Sequence, residues 1–96
     1  MIEEFLTGDR RLKLTVVIVD SRHKPTKLDQ WMVDWLDEHQ IQAQIVATKI
    51  DKVSKSKRSN TLEVIRDTLG VDFVVPFSAV TGEGKKEIWR IIQSKR

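Results

Sequence analysis

Three short apolar runs set the strongest limit on what this chain can fold into. They span residues 14–19, 43–47 and 73–77, and β-branched side chains are frequent in all of them. Runs of this length and composition are typical of strands that are buried on both faces of a sheet. A segment with apolar residues at helical spacing follows each run. This alternation predicts an α/β fold: a three-stranded parallel sheet with helices on both faces.

The first predicted helix begins at Thr26, because Thr26-Lys27-Leu28-Asp29 is a capping-box variant in which Thr26 is the N-cap. The sequence predicts that this helix ends near His39. Its expected inward-facing stripe contains five large apolar residues, Leu28, Trp31, Met32, Trp35 and Leu36.

The remaining helical segments have clear apolar stripes. Ser54 or Ser56 is expected to cap a helix that ends at Gly70, the residue type most favoured there. Its stripe is Leu62, Ile65 and Leu69, and the last helix has Ile88, Ile91 and Ile92 at similar spacing. At the other end of the chain, residues 1–6 are expected to form one or two helical turns that stop at Gly8.

Bulk composition is that of one globular domain over residues 1–96. Apolar residues make up 40% of the chain and charged residues 32%, which is an ordinary globular balance. The chain has no cysteine, which favours a reducing compartment, and no apolar stretch long enough to span a membrane. We therefore expect a cytoplasmic domain without a membrane segment.

Polar residues stand at the ends of all three predicted strands. Asp20 follows the first strand, Thr48-Lys49-Ile50-Asp51 the second, and Ser78-Ala79 the third. The carboxyl ends of parallel strands meet at one edge of the sheet, and ligands bind beyond that edge. These residues are therefore expected to lie together and to form the functional site.

The residue types at this edge suit recognition of guanine. A carboxylate such as that of Asp51 can accept hydrogen bonds from guanine N1–H and from its N2 amino group, a pair that adenine does not offer. The aliphatic stem of Lys49 can cover the purine face. The backbone N–H of Ala79 can donate to guanine O6, while Ser78 braces the loop that carries it. Asp20 is expected to accept hydrogen bonds from backbone N–H groups of its own loop.

With these motifs in view, the chain resembles the C-terminal half of the translation-factor-related GTPases, most closely the YihA/EngB type of ribosome-assembly GTPase. The similar segments are TVVIVDSRHKPTKLDQWMVDWL from Thr15, IVATKIDKVSKSKR from Ile45 and VVPFSAVTGEGKKEIWRII from Val74. The resemblance implies half of a P-loop GTPase domain, which is Rossmann-like. It also implies a nucleotide-binding set of Thr48, Lys49, Asp51, Ser78 and Ala79, and a ribosomal or ribosomal-RNA partner for the parent family.

The family's phosphate-binding motif, Gly-x-x-x-x-Gly-Lys-[Ser/Thr], does not occur in the 96 residues. The family's magnesium-binding switch residues also precede the segment that this chain resembles. We therefore expect no catalytic residues and no GTP hydrolysis by the chain alone, with weak GTP or GDP binding or none. The two histidines, His23 and His39, stand apart from any cluster of ligands, so no metal site is expected.

Two alternative functions stay open at this point. One is a truncated or engineered half-domain that folds by itself and binds nothing measurably. The other is a basic module that contacts ribosomal RNA through the lysine-rich stretch 49–58.

The sequence also suggests self-association, with a dimer as the usual closed form. If the neighbouring phosphate-loop strand is missing, the strand from Leu14 to Val19 becomes an unprotected edge, since it contains neither charge nor proline. Swapped helices and the apolar surface near Trp31 and Trp35 are the other routes. A fold-back of residues 1–11 is what would cover the edge.

Overall fold

The computed structural model describes residues 2–6 and 13–94, and it contains one four-stranded sheet with three α-helices. The strands are β1 (Ile2–Leu6), β2 (Lys13–Asp20), β3 (Gln42–Thr48) and β4 (Val74–Pro76). The helices are α1 (Lys27–Glu38), α2 (Lys55–Leu69) and α3 (Lys85–Ser94). None of the described helices is long and apolar enough to cross a membrane.

The strands follow one another across the sheet in the order β1-β2-β3-β4. Strands β2, β3 and β4 are parallel, with Val17 opposite Ile45 and Ile45 opposite Val74. The prediction of three parallel strands alternating with helices is therefore confirmed. The carboxyl ends of β2 and β3 are level, because Asp20 lies opposite Thr48.

The first strand differs from the prediction for the N-terminal segment. We expected residues 1–6 to be helical, but Ile2–Leu6 is a strand, and Met1 and Gly8 lie outside the described residues. β1 pairs antiparallel with residues 13–17 of β2, and this pairing supplies backbone partners along that stretch of β2. A segment of five residues, three of them apolar, is too short for periodicity to separate helix from strand.

This pairing also corrects the expected exposed edge. The strand from Leu14 to Val19 is hydrogen-bonded to β1 on one side, through residues 14–17, and to β3 on the other. It is therefore an inner strand of the sheet. The outer edges are β1, which carries Glu3 and Glu4, and the three-residue β4, which ends at Pro76.

The sheet is covered on both faces, as the alternation predicts. On one face, α1 and α2 pack against β2, β3 and β4, in a buried cluster that includes Val17, Ile45, Val74, Leu36 and Ile65. On the other face, Ile88 and Ile91 of α3 pack against a smaller cluster of Val16, Val46 and Val75. Because β3 contributes to both clusters, its residues 44–47 are all buried.

Helix α1 begins as predicted and faces the sheet differently. The side chain of Thr26 accepts from the Asp29 backbone N–H, and the Asp29 carboxylate accepts from the Thr26 N–H, which completes the capping box. The helix ends before His39, its C-cap.

The buried residues of α1 are Val33 and Leu36, and Met32 is half-buried. The expected inward positions of Leu28, Trp31 and Trp35 are therefore wrong, since these side chains are 69%, 57% and 38% exposed. The helix has two apolar stripes with similar spacing, and spacing alone did not show which one faces the sheet.

Helix α2 follows the sequence pattern, and of the three predicted residues of α3 the clusters contain Ile88 and Ile91. Ile65 and Leu69 of α2 are buried and Leu62 packs against them, as expected. Ser54 is the N-cap of α2, although its side chain makes no capping hydrogen bond. Gly70 closes α2 with a left-handed φ of 67°, and its N–H donates to the Arg66 carbonyl.

Candidate functional site

The polar residues singled out in the sequence lie at one edge of the sheet. Phe77 continues the line of β4, because its N–H donates to the Ala47 carbonyl over 2.8 Å. The Phe77 carbonyl in turn accepts from the N–H of Ile50 over 3.1 Å. These two hydrogen bonds place the turn after β3, which contains Asp51, directly beside the loop after β4, which contains Ser78.

Asp51 and Ser78 are joined at the centre of this edge. The Ser78 hydroxyl donates to Oδ1 of Asp51 over 2.8 Å, and Ser78 has no solvent exposure. The same hydroxyl oxygen accepts from the backbone N–H groups of Val80 and Thr81, at 3.2 and 3.1 Å. Ser78 therefore fixes the Asp51 carboxylate and the turn of its own loop with one hydroxyl group.

Asp51 and Ala79 retain hydrogen-bonding capacity toward a ligand. Within residues 2–6 and 13–94, no protein group donates to Oδ2 of Asp51, and the N–H of Ala79 has no acceptor. Ala79 is exposed, and Asp51 is half-buried. The edge thus presents a fixed carboxylate acceptor and a backbone donor, the combination that the guanine N1, N2 and O6 groups require.

Lys49 has a strained backbone and an anchored head group. It is in the left-handed conformation, with φ 59° and ψ 33°, which costs a residue with a Cβ about 1–2 kcal/mol. Its Nζ lies 3.7 Å from Oδ2 of Asp20, and the side chain stays largely exposed. The short 3₁₀ turn Ile50–Lys52 starts immediately afterwards, so the strained residue sets the position of Asp51.

Asp20 occupies the β2 end of the same edge. Its carboxylate accepts from the backbone N–H of Arg22 over 2.9 Å, as the sequence suggested for its own loop. It also accepts from the Arg22 guanidinium at 3.1 and 2.9 Å. The Arg22 side-chain hydrogen bonds, helped by the Arg22 backbone N–H and the nearby Lys49 charge, hold the pKa of Asp20 well below its usual range.

Thr48 connects the ends of β2 and β3. Its hydroxyl donates to the Val19 carbonyl over 3.1 Å, while its own carbonyl accepts from the Ser21 N–H over 3.0 Å. Thr48 therefore stabilises the junction from which Asp20 and Lys49 extend. The structure brings Asp51 and Ser78 into direct contact, and it places Thr48 and Lys49 on the Asp20 side of them.

Sequence reasoning missed two residues of this region, Arg58 and Glu83. Arg58 lies in the lysine-rich stretch 49–58, which the sequence offered as one basic surface. Its Nη1 instead lies 3.0 and 2.8 Å from the two carboxylate oxygens of Glu83. No local pattern joins two residues 25 positions apart, so the fold was needed to find the pair.

The histidines take no part in this edge. His39 stacks on Trp35, with ring centroids 4.0 Å apart, and its Nδ1 lies 2.8 Å from the Trp35 carbonyl oxygen. Within the part of the chain that the structure describes, no three side chains among His, Asp and Glu gather as potential metal ligands.

The chain is similar in sequence to probable GTP-binding proteins of the EngB type. A probable GTP-binding protein EngB of Pelotomaculum thermopropionicum is 46% identical over 95 residues, which is 96% of this chain and 48% of the relative. The chain thus spans about half the length of the curated relatives that it matches. No protein-family profile matches the chain.

Two solved structures share the fold. The crystal structure of a probable GTP-binding protein engB superposes with a TM-score of 0.66 at 19% identity, over 82% of this chain and 56% of that one. Apo translation elongation factor SelB of Methanococcus maripaludis superposes with a TM-score of 0.70 at 25% identity, over 85% of this chain and 19% of that one. Over the superposed part, the fold is α/β and like that of a P-loop GTPase.

Proposed function

Because the chain corresponds to about half of an EngB-type GTP-binding protein, we propose that it carries the part that recognises the guanine base. Asp51 accepts from guanine N1–H and the N2 amino group, and the N–H of Ala79 donates to O6. The Lys49 stem covers one face of the purine. Ser78 holds both loops in register, and Thr48 stabilises the strand ends beneath them.

The observation that supports this proposal most directly is the 2.8 Å hydrogen bond from Ser78 to Asp51. A carboxylate that is already fixed loses little side-chain entropy when a base binds, so it suits specific recognition. The remaining acceptor capacity of Asp51 and the unpaired N–H of exposed Ala79 match the polar edge of guanine.

Binding should be weak in this chain, and hydrolysis should be absent. The sequence contains no Gly-x-x-x-x-Gly-Lys-[Ser/Thr] motif, whose backbone and lysine hold the phosphates in GTPases. Without those charge-assisted contacts we expect a dissociation constant for GDP no tighter than about 1 mM. For the whole parent protein, the proposal also includes GTP hydrolysis, a requirement for magnesium and a role in ribosome assembly in the cytoplasm.

The test is a titration of the ¹⁵N-labelled chain with GDP, with ADP as the matched control nucleotide. We expect GDP to shift the amide signals of Lys49, Asp51 and Ala79, and ADP to leave them in place. Equal shifts with both nucleotides, or no GDP shift at the highest GDP concentration that can be dissolved with the protein, would overturn base recognition. Micromolar GDP affinity would overturn the expectation of weak binding.

A second candidate function is RNA contact through the lysine-rich stretch. Lys52, Lys55 and Lys57 are exposed, and within the described residues none of them has an ion-pair partner. Arg58 is engaged by Glu83 and does not belong to this basic surface. Fluorescence anisotropy of a labelled RNA oligonucleotide at 50 and 200 mM salt tests this function, because phosphate contacts weaken steeply with salt.

A further inference from the structure

The ion pair between Arg58 and Glu83 links helix α2 to the loop between β4 and α3. Arg58 lies in the first turns of α2, which follows the turn that contains Asp51, and Glu83 lies in the loop between β4 and α3. The side chains are only 29% and 38% exposed, so the pair is partly shielded from solvent. Nε of Arg58 is buried without an acceptor among the described residues, and the two contacts of Nη1 with the Glu83 carboxylate offset that burial.

Glu83 is coupled to Ser78 through the backbone. The Glu83 carbonyl accepts from the Ser78 N–H over 3.0 Å, and the Ser78 carbonyl accepts from the Gly82 N–H over 2.8 Å. The Glu83 N–H donates to Oγ1 of Thr81 over 3.2 Å. The loop 78–83 is therefore closed on itself, with Ala79 directly after the closing residue Ser78, and a displacement of Glu83 displaces the whole loop.

The next residue anchors this loop to the sheet. Gly84 has a φ of +86°, and a Cβ at this position would lie 2.2 Å from the Pro76 carbonyl oxygen. The loop thus rests on the end of β4 through Gly84 and reaches across to α2 through Glu83. The Gly82-Glu83-Gly84 segment, which the sequence presents as a plain turn before a helix, has a fixed place in the site.

We propose that Arg58 and Glu83 are positioning residues for guanine specificity: their ion pair fixes the orientation of the loop that presents the Ala79 N–H. This inference rests on the proposed function, since the loop is the part that would contact O6. Neither side chain touches the base. Two side-chain interactions then hold the site together. The Ser78–Asp51 hydrogen bond joins the two loops directly, and the Arg58–Glu83 ion pair joins helix α2 to the loop after β4.

The first experiment needs no ligand. Amide hydrogen exchange is measured at Val80 and Thr81, whose N–H groups donate to Ser78 Oγ. Arg58→Gln and Glu83→Gln should each accelerate exchange at these two amides by about fivefold, or about 1 kcal/mol. The double variant should show no further acceleration, because the two residues act through one contact.

Two substitutions on the same helix serve as controls. Arg66→Gln removes a positive charge, as Arg58→Gln does, and Glu63→Gln removes a negative charge, as Glu83→Gln does. Within the described residues, neither Arg66 nor Glu63 makes an ion pair. Both controls should leave the exchange of Val80 and Thr81 unchanged. Equal exchange in the Arg58 and Glu83 variants and in these controls would overturn the positioning role.

The second experiment tests the consequence for the base. In the GDP titration, either single variant should weaken binding by about fivefold, with any response to ADP unchanged. The reversed pair, Arg58→Glu with Glu83→Arg, should recover part of that loss. Unchanged GDP affinity in variants whose loop exchange is accelerated would overturn the link to specificity.

The outcomes separate this inference from the proposed function. If the unsubstituted chain shows no guanine-selective shifts, base recognition by the chain is overturned, and with it the specificity role of the pair. If the unsubstituted chain binds GDP selectively and the Arg58 and Glu83 variants bind equally well, only the positioning role is overturned.

Discussion

Ser78 and Asp51 lie 27 residues apart in the chain and 2.8 Å apart in the structure, hydroxyl oxygen to carboxylate oxygen. The Ser78 hydroxyl is a donor to Asp51 and an acceptor for two backbone N–H groups at once. The hydroxyl is also fully buried, so its three hydrogen bonds converge at a point that is shielded from solvent.

Ser78→Ala should therefore destabilise the chain by about 2 kcal/mol, since it leaves three polar groups without their partner. Urea unfolding followed by circular dichroism measures the loss. Ser59→Ala, at an exposed position of α2, is the matched control and should change stability by no more than about 0.5 kcal/mol. Similar unfolding midpoints for the two variants would contradict a structural role for the buried hydroxyl.

Asp51→Asn should reverse the base preference where the nucleotide pocket is complete. An amide offers a donor where the carboxylate accepted from N1 and N2, so guanine should lose affinity and xanthine should gain it. The measurement belongs in a longer protein that includes the phosphate-binding half, where affinity is high enough to compare GDP with XDP. Asp67→Asn, on the exposed surface of α2, is the control. If the Asp51 variant still prefers GDP, another residue recognises the base.

The strands and their polar ends could be predicted because both depend on local patterns. Buried strands need apolar runs, and the parallel arrangement then brings Asp20, Asp51 and Ser78 to one edge of the sheet. The capping box at Thr26 and the C-cap at Gly70 depend on neighbouring residues and were also found.

What could not be predicted depends on choices between equivalent local patterns or on distant pairs. The two apolar stripes of α1 have similar spacing, so the sheet-facing role of Val33 rather than Trp35 became clear only in the fold. The same is true of the pairing of Ile2–Leu6 with β2 and of the Arg58–Glu83 ion pair.

The two glycines that close α2 and the β4–α3 loop should differ in their tolerance of alanine. Gly70 has a φ of +67° with nothing within 4 Å of an added Cβ, so Gly70→Ala should cost only the backbone strain, about 1 kcal/mol. At Gly84 the added Cβ would also lie 2.2 Å from a backbone oxygen. Gly84→Ala should therefore cost about 3 kcal/mol or more. Equal unfolding midpoints would show that the loop is not held against Pro76.

The Asp20–Arg22 pair should make stability depend on pH in the acid range. Arg22 lowers the pKa of Asp20 in the folded chain, while the unfolded chain has the ordinary value of 3.8. The ion pair therefore makes its full contribution to the free energy of unfolding above pH 3.8. That contribution is lost as the pH falls through the pKa of Asp20 in the folded chain. Arg22→Gln should lower the urea midpoint more at pH 7 than at pH 2.5. NMR titration should show that the pKa of Asp20 is higher in the Arg22 variant than in the unsubstituted chain. Arg90→Gln, exposed on α3, should show no such difference, and an unchanged Asp20 pKa in the Arg22 variant would contradict the assignment.

Removal of residues 1–6 should turn the chain into a self-associating one. Without β1, the strand from Leu14 to Val19 loses the partner that pairs with residues 13–17, and its unpaired backbone groups become available to another copy. In the intact chain β1 pairs with this stretch of β2, so those backbone groups are not available to a second copy. Analytical ultracentrifugation over a wide concentration range should therefore find the intact chain monomeric and the shortened chain dimeric or larger.

Two controls identify the surface that is responsible. Deletion of residues 95–96 tests whether trimming an end has an effect by itself, and it should leave the chain monomeric. Trp31→Lys in the shortened chain tests the other apolar route, because Trp31 lies on the exposed stripe of α1 with Leu28 and Trp35. If that substitution restores the monomer, association runs through the helix surface and the edge explanation is wrong. If it does not, the helix surface is not the contact, and the association runs through pairing along β2, which β1 separates from a second copy in the intact chain, or through an exchange of helices.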